Sequence, residues 1–149
     1  MNSLDKYLVV VARIVLGAIF LLASFDKISD PANFARSISN YHIVPFGLEN
    51  IIAIILPWLE LLIGMGLILG IMIDGSARIS AYLMVMFILM ISQAMLRGYN
   101  IECGCGLKEG EMIGFNKILE NIVFLGGSYI VIQRKKRLFE IFPKTPLSE

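Results

Sequence analysis

The sequence predicts an all-α integral membrane protein, a four-helix bundle with a short interfacial helix in its first outer loop. Three observations carry this. Of 149 residues, 57% are hydrophobic and 17% charged; a soluble domain this small has too little interior to hide so much apolar surface. The apolar residues gather in long runs, and ~20 mostly apolar residues suffice to cross a bilayer as a helix. The strongest basic cluster stands directly after the last run, as expected for a cytoplasmic flank. The length allows one membrane domain over residues 1–149. A net charge of +1 supplies no basic field, so no nucleic-acid partner is expected. The lipid membrane itself is the first partner.

The first span runs from Leu8 to Phe25, interrupted by Arg13, and leaves through Asp26-Lys27. Acidic Asp5, no clean Ala-x-Ala cleavage site and the presence of later spans favour an uncleaved helix over a signal peptide. Asp30-Pro31 then reads as a helix start, with Asp30 as cap and Pro31 in the first turn. A short interfacial helix is predicted from about Pro31 to Tyr41. The second span, Ile51 to Ile73, contains Pro57 and Glu60, and Gly64, Gly66 and Gly70 let another helix approach closely. Asp74-Gly75 is predicted as a tight turn, leading to the third span, Ile79 to Leu96. The fourth, Ile118 to Ile132, is the weakest, with Glu120 and Asn121 in its first turn. Residues 133–149 form a basic tail opening on Arg134-Lys135-Lys136-Arg137, which places both termini in the cytoplasm of a multi-pass inner (cytoplasmic) membrane protein. Both long loops then face outward.

The sharpest chemical signal is Cys103-Gly104-Cys105-Gly106 in the second outer loop. Two cysteines are too few for a disulfide scaffold or a four-ligand zinc site. A bridge requires Cα atoms ~4.4–6.8 Å apart, near or below the span of an extended i, i+2 pair, so the backbone must turn sharply. Gly104 and Gly106 permit the turn. Strain in so small a ring raises the reduction potential, a property of labile and catalytic disulfides. A structural bond would gain little from closing so short a loop. Unpaired thiols and a soft-metal site such as Cu(I) remain alternatives.

Arg13 and Glu60 are the second signal, because ionisable residues inside spans are costly and often functional. Arg13 lies ~9 Å along its helix from Tyr7, and Glu60 ~20 Å from the inner end of its own. An Arg13–Glu60 ion pair is expected, either fixing helix register or shaping a cavity, with Arg13 snorkelling alone to the inner surface as the alternative. Pro57, one turn before Glu60, frees a carbonyl where such a cavity would form. Lys27, Gln93, Arg97, Glu120 and Asn121 gather at the outer end, as thiol-activating groups or as interfacial anchors. His42 is the lone histidine, a proton shuttle or incidental. The methionines read as helix packing.

These residues together resemble the MauE (methylamine utilisation) branch of the DoxX-like membrane proteins, over roughly Tyr7 to Tyr129. The resemblance rests on Arg13-Ile-Val-Leu-Gly17, Phe25-Asp-Lys27-Ile-Ser-Asp30-Pro31, Asn40-Tyr41-His42-Ile-Val-Pro45, Pro57-Trp-Leu-Glu60-Leu-Leu-Ile-Gly64 and Cys103-Gly-Cys105-Gly106. Where the family usually sets a phenylalanine between the second cysteine and a glycine, this chain has Gly106-Leu107. The resemblance implies a four-helix protein of extracytoplasmic disulfide chemistry, acting with a thioredoxin-like partner. The DoxX link to thiosulfate:quinone oxidoreduction implies a quinone as acceptor. The layout is similar to DsbB and the vitamin K epoxide reductases, which relay electrons through a second cysteine pair that this chain lacks.

The expected function is therefore a membrane thiol–disulfide oxidoreductase, or its membrane subunit, with Cys103 and Cys105 as the catalytic pair. Its rivals are a non-catalytic anchor of a soluble redox enzyme and a carrier of a soft metal or sulfur species. A membrane-impermeant thiol reagent is expected to label Cys103 and Cys105 in intact, reduced cells. Labelling that required permeabilisation would reverse the assigned topology.

Overall fold

The computed structural model describes residues 3–45, 47–99, 101, 112–134 and 141. Five helices follow one another: α1 (Ser3–Ser29), α2 (Pro31–Asn40), α3 (Leu48–Leu69), α4 (Ile73–Leu96) and α5 (Phe115–Ile132). Four are long and apolar enough to cross a membrane, over Tyr7–Ser29, Leu48–Leu69, Ile73–Leu96 and Phe115–Ile132. The chain is an all-α, multi-pass membrane protein, as the hydropathy runs require.

The four spans pack in a ring in chain order. α1 lies on α3, α3 on α4, α4 on α5, and α5 closes back on α1. Successive spans are antiparallel: Arg13 meets Leu67 while Lys27 meets Glu60, and Ser80 meets Ser128 while Asp74 meets Arg134. The bundle thus has a terminal end, where α1 starts and α5 finishes, and a loop end, which carries α2. The outside is greasier than the inside: Leu22, Leu62, Leu89 and Val123 point outward, while serines, glycines and ionised groups face in. That inversion fits a lipid solvent, in which apolar burial drives nothing and helices associate through close packing and polar contacts.

Two contacts show what holds the spans together. At the α1–α3 crossing, a Cβ built on Gly64 would lie 2.8 Å from the Gly17 carbonyl oxygen, and one on Gly17 2.9 Å from that of Gly64. Only glycines admit that approach. Across α4 and α5 the Ser80 and Ser128 hydroxyls lie 2.9 Å apart, fully buried. Each hydroxyl has one proton, so one donates to the other across the helices while the acceptor donates within its own helix, to Ala77 O or Phe124 O.

α2 forms as the sequence predicts. Asp30 caps it by accepting from the Asn33 N–H at 3.0 Å, Pro31 opens it, and Phe34, Ala35, Ser37 and Ile38 form its buried face. It packs on α3 and lightly on α1 but stands off α4.

The turn between the second and third spans differs from expectation. It falls at Gly70–Met72, not at Asp74-Gly75. Gly70 takes a left-handed φ of 77°, and the N–H groups of Gly70 and Ile71 both return to Gly66 O, a glycine C-terminal stop. α3 consequently ends at Leu69 and α4 begins at Ile73, with Asp74 and Gly75 in its first turn. An acid in that position faces the positive end of the helix dipole, and Asp74 also receives the buried Arg134 guanidinium.

Gly64→Val is expected to destabilise the detergent-solubilised protein by about 1–3 kcal/mol, the usual cost of overpacking. Gly126→Ala, which meets nothing within 4 Å, should be neutral or stabilising by up to ~1 kcal/mol. Thermal melts of the two variants check this; equal effects would remove the seam's role.

Candidate functional site

The polar interior lies in the loop-end half of the bundle, and its centre is an ion pair. The Lys27 ammonium on α1 donates to both oxygens of the Glu60 carboxylate on α3, each at 2.7 Å. Both side chains are almost wholly buried, 3% and 1% exposed. Glu60 stands 12 residues beyond the start of α3, ~18 Å along the helix axis.

Arg13 is not its partner. The Arg13 Nε–H donates instead to Leu67 O at 3.1 Å. The reason is direction. Side chains on a helix lean toward its own N-terminus. In antiparallel α1 and α3, with Gly17 level with Gly64, Arg13 and Glu60 lean apart, while Lys27 and Glu60 lean toward each other. The expected ion pair forms, but from the cation at the other end of α1.

Aromatic rings complete the setting. The Lys27 ammonium sits 5.1 Å from the centroid of Phe34 on α2 and 5.6 Å from that of Phe87 on α4, within cation–π range. Both rings also line an apolar cavity of 250 Å³ beneath α2, walled further by Ile38, Tyr41, Leu56 and Met90. A cavity of about 150 Å³ accepts benzene, so this one has room for a larger apolar group. Tyr41 is buried at its edge, and burial pushes its hydroxyl up to about 12, so it stays neutral at physiological pH.

A second charged pair stands on α5. Lys117 donates to Glu120 at 2.9 Å, and the Asn121 amide nitrogen donates to Lys117 O at 2.8 Å. Lys117 is buried whereas the Glu120 side chain is 43% exposed. Of the outer-end group expected from sequence, Lys27 and Asn121 therefore turn inward and Glu120 stays half-exposed. Gln93 and Arg97 pair with each other one turn apart at the end of α4. His42, at a left-handed φ of 50°, meets the Tyr99 ring edge-on at 5.5 Å.

Cys103 and Cys105 lie outside the described residues. The connection that carries them departs from and returns to a fixed point: the Ile113 N–H donates to Ile101 O at 2.9 Å, just before α5 begins. Sequence reasoning missed Lys117, Phe34 and Phe87. The aromatic pair carried no local signal, since phenylalanine in an apolar run is what any span offers.

The chain matches the family described as Methylamine utilisation protein MauE over residues 5–133. It is 28% identical to the Methylamine utilization protein MauE of Paracoccus denitrificans over 74% of this chain and 61% of that protein. It is 35% identical to the protein of the same name from Methylorubrum extorquens over 61% of this chain and 52% of that protein. A third, from Methylophilus methylotrophus, is 27% identical over 85% of this chain and 68% of that protein. The chain thus spans between half and two thirds of the length of the first two relatives. No solved structure matches it.

Lys27→Met and Glu60→Gln are each expected to cost about 3–5 kcal/mol, because one buried charge is left without its partner. Combining an apolar replacement at both positions should recover much of that loss. A double-mutant cycle on thermal or denaturant stability measures the coupling, and Arg13→Gln with Glu60→Gln, as the control pair, should be additive.

Proposed function

The chain belongs to the MauE family, and from that premise we propose that it is a membrane thiol–disulfide oxidoreductase, or the membrane subunit of one, serving methylamine utilisation. The observation that carries the reading is the Cys103-Gly104-Cys105-Gly106 segment in the connection between α4 and α5. The pair cycles between dithiol and disulfide at the extracytoplasmic face.

A thiolate of a thioredoxin-like partner attacks one sulfur of the Cys103–Cys105 disulfide and displaces the other as thiolate. The partner's second thiolate then attacks the mixed disulfide. The partner leaves oxidised, and Cys103 and Cys105 are left as a dithiol. Reoxidation passes two electrons and two protons to a quinone, giving a quinol and restoring the disulfide. The same steps run backwards describe net oxidation of the quinol.

Two features support a lipophilic acceptor. The 250 Å³ cavity is lined almost wholly by apolar side chains, the environment that small lipophilic ligands prefer. The Lys27 ammonium touches the same two rings that form part of its wall. Glu60 belongs to this proposed acceptor site through Lys27. Arg13, bonded to Leu67 O ~21 Å along α1 from Lys27, supports the fold of the terminal half.

A single Cys103→Ser or Cys105→Ser change is expected to abolish turnover. One of the two variants should trap the partner as a mixed disulfide, visible on non-reducing gels and released by dithiothreitol. Titrated against glutathione buffers, the wild-type pair should show a potential well above the range below about −300 mV typical of structural bonds. A pair that stays reduced under oxidising conditions, or oxidised below that range, would sink the reading. Retention of a soluble partner without turnover would then favour an anchor, and stoichiometric metal lost with either cysteine a carrier.

A further inference from the structure

The polar interior does not stop at the Lys27–Glu60 pair. Glu60, Glu120 and Asn121 also line a second cavity, of 30 Å³, closed by Phe20, Met84 and Phe124 among others. A buried water needs at least ~10–15 Å³ and two to four polar partners. This cavity has the room, and two carboxylates and an amide supply the partners.

We propose that one or two waters in this cavity join Glu120 to Glu60, making a proton route from the loop-end surface to the Lys27 ammonium inside the membrane layer. The exposures of the two acids give the route its direction. Glu120 is 43% exposed and Glu60 1% exposed, yet both line one cavity, so one carboxylate reaches the outside of the bundle, five residues into α5 from its loop end, and the other meets Lys27. Among the described residues, every charged group placed around Glu60 takes part. α1 presents Lys27, and α5 presents Lys117 and Glu120. α4 and α2 bring only the apolar Met84, Phe87 and Phe34 to the two sites. Among the described residues the two ammonium and two carboxylate groups balance in charge.

Each hop is a proton transfer with no change in oxidation state. Glu120 takes a proton from solvent and hands it to the cavity water, which passes one of its own to Glu60. Glu60 lies 2.7 Å from the Lys27 nitrogen by either oxygen, so the ammonium can give one proton to Glu60, leaving a neutral amine and a carboxyl. The carboxyl passes that proton out along the water, and a proton returned by the same route restores the ammonium. In the reaction proposed above, dithiol oxidation frees two protons at the loop end, and a quinone beside Phe34 and Phe87 takes up two. The route connects those points. This use rests on the redox reading, whereas the route does not.

The test is hydrogen exchange of the Lys27 side chain in the full-length protein. ¹⁵N-lysine labelling in micelles gives the exchange rate of its Nζ protons with solvent, the signal being assigned by its loss in Lys27→Arg. Wild type is expected to exchange much faster than amides of the same buried depth. Glu120→Gln, which keeps the shape of the half-exposed side chain, should slow exchange at least tenfold, as should Ala23→Leu, which fills the cavity from α1. Glu120→Asp should keep most of the rate. A Cys103→Ser/Cys105→Ser variant should exchange like wild type whatever becomes of the redox reading. Equal rates in wild type and Glu120→Gln, or a wild-type ammonium as protected as the core amides, would overturn the route.

Discussion

A charge inside lipid has to meet its counter-charge there, and the loop-end half of this protein is arranged around one such meeting. Lys27 and Glu60 bond through both carboxylate oxygens at 2.7 Å, with almost no exposure. On insertion scales a lone lysine or acid at mid-membrane costs about 2.5–3.5 kcal/mol. The pair removes that cost and leaves a demand for shelter from competing water. α2 and α4 meet the demand with Phe34 and Phe87, whose rings stand within cation–π distance of the ammonium. A helix that does not itself cross the membrane is thereby tied to two that do.

The pair in turn depends on backbone approach elsewhere. Gly17 and Gly64 set α1 against α3 so closely that no other residue fits, and that contact fixes which residues stand level. Once level, side chains leaning toward their own helix starts decide the partners. Lys27 and Glu60 converge, while Arg13 drops to Leu67 O. At the terminal end, Asp74 and Arg134 repeat the arrangement between α4 and α5. The α1–α3 and α4–α5 neighbours are thus each pinned by small residues or serines within the span and by a charged pair toward an end.

This division gives the two halves of the bundle different capacities. The terminal half is locked by the glycine seam and by guanidinium contacts. The loop-end half holds the cavities, the buried lysines and the half-exposed Glu120, and it receives the connection bearing Cys103 and Cys105 at the Ile101–Ile113 hydrogen bond. Thiol chemistry at a membrane surface needs protons moved and a lipophilic acceptor reached, and the features suited to both are on that side.

The four spans, the all-α class and the Asp30-capped interfacial helix were legible in the sequence, because lipid imposes length and apolarity locally and a cap is a contact between near neighbours. Glu60 was legible too, as a charge out of place. The end of α3 was misplaced because hydropathy runs on through Ile71, Met72 and Ile73, and the stop lies in a turn where Gly70 and Met72 both take left-handed φ. Lys27 looked like an interfacial anchor, since its burial depends on α2 folding back over it. The identity of Glu60's partner could not be read from α1, which offers Arg13 and Lys27 alike. The sequence by itself determined that charges would have to be paired inside the bilayer. Which charges met was decided by the tertiary structure, because helix register and side-chain direction exist only once two helices have packed.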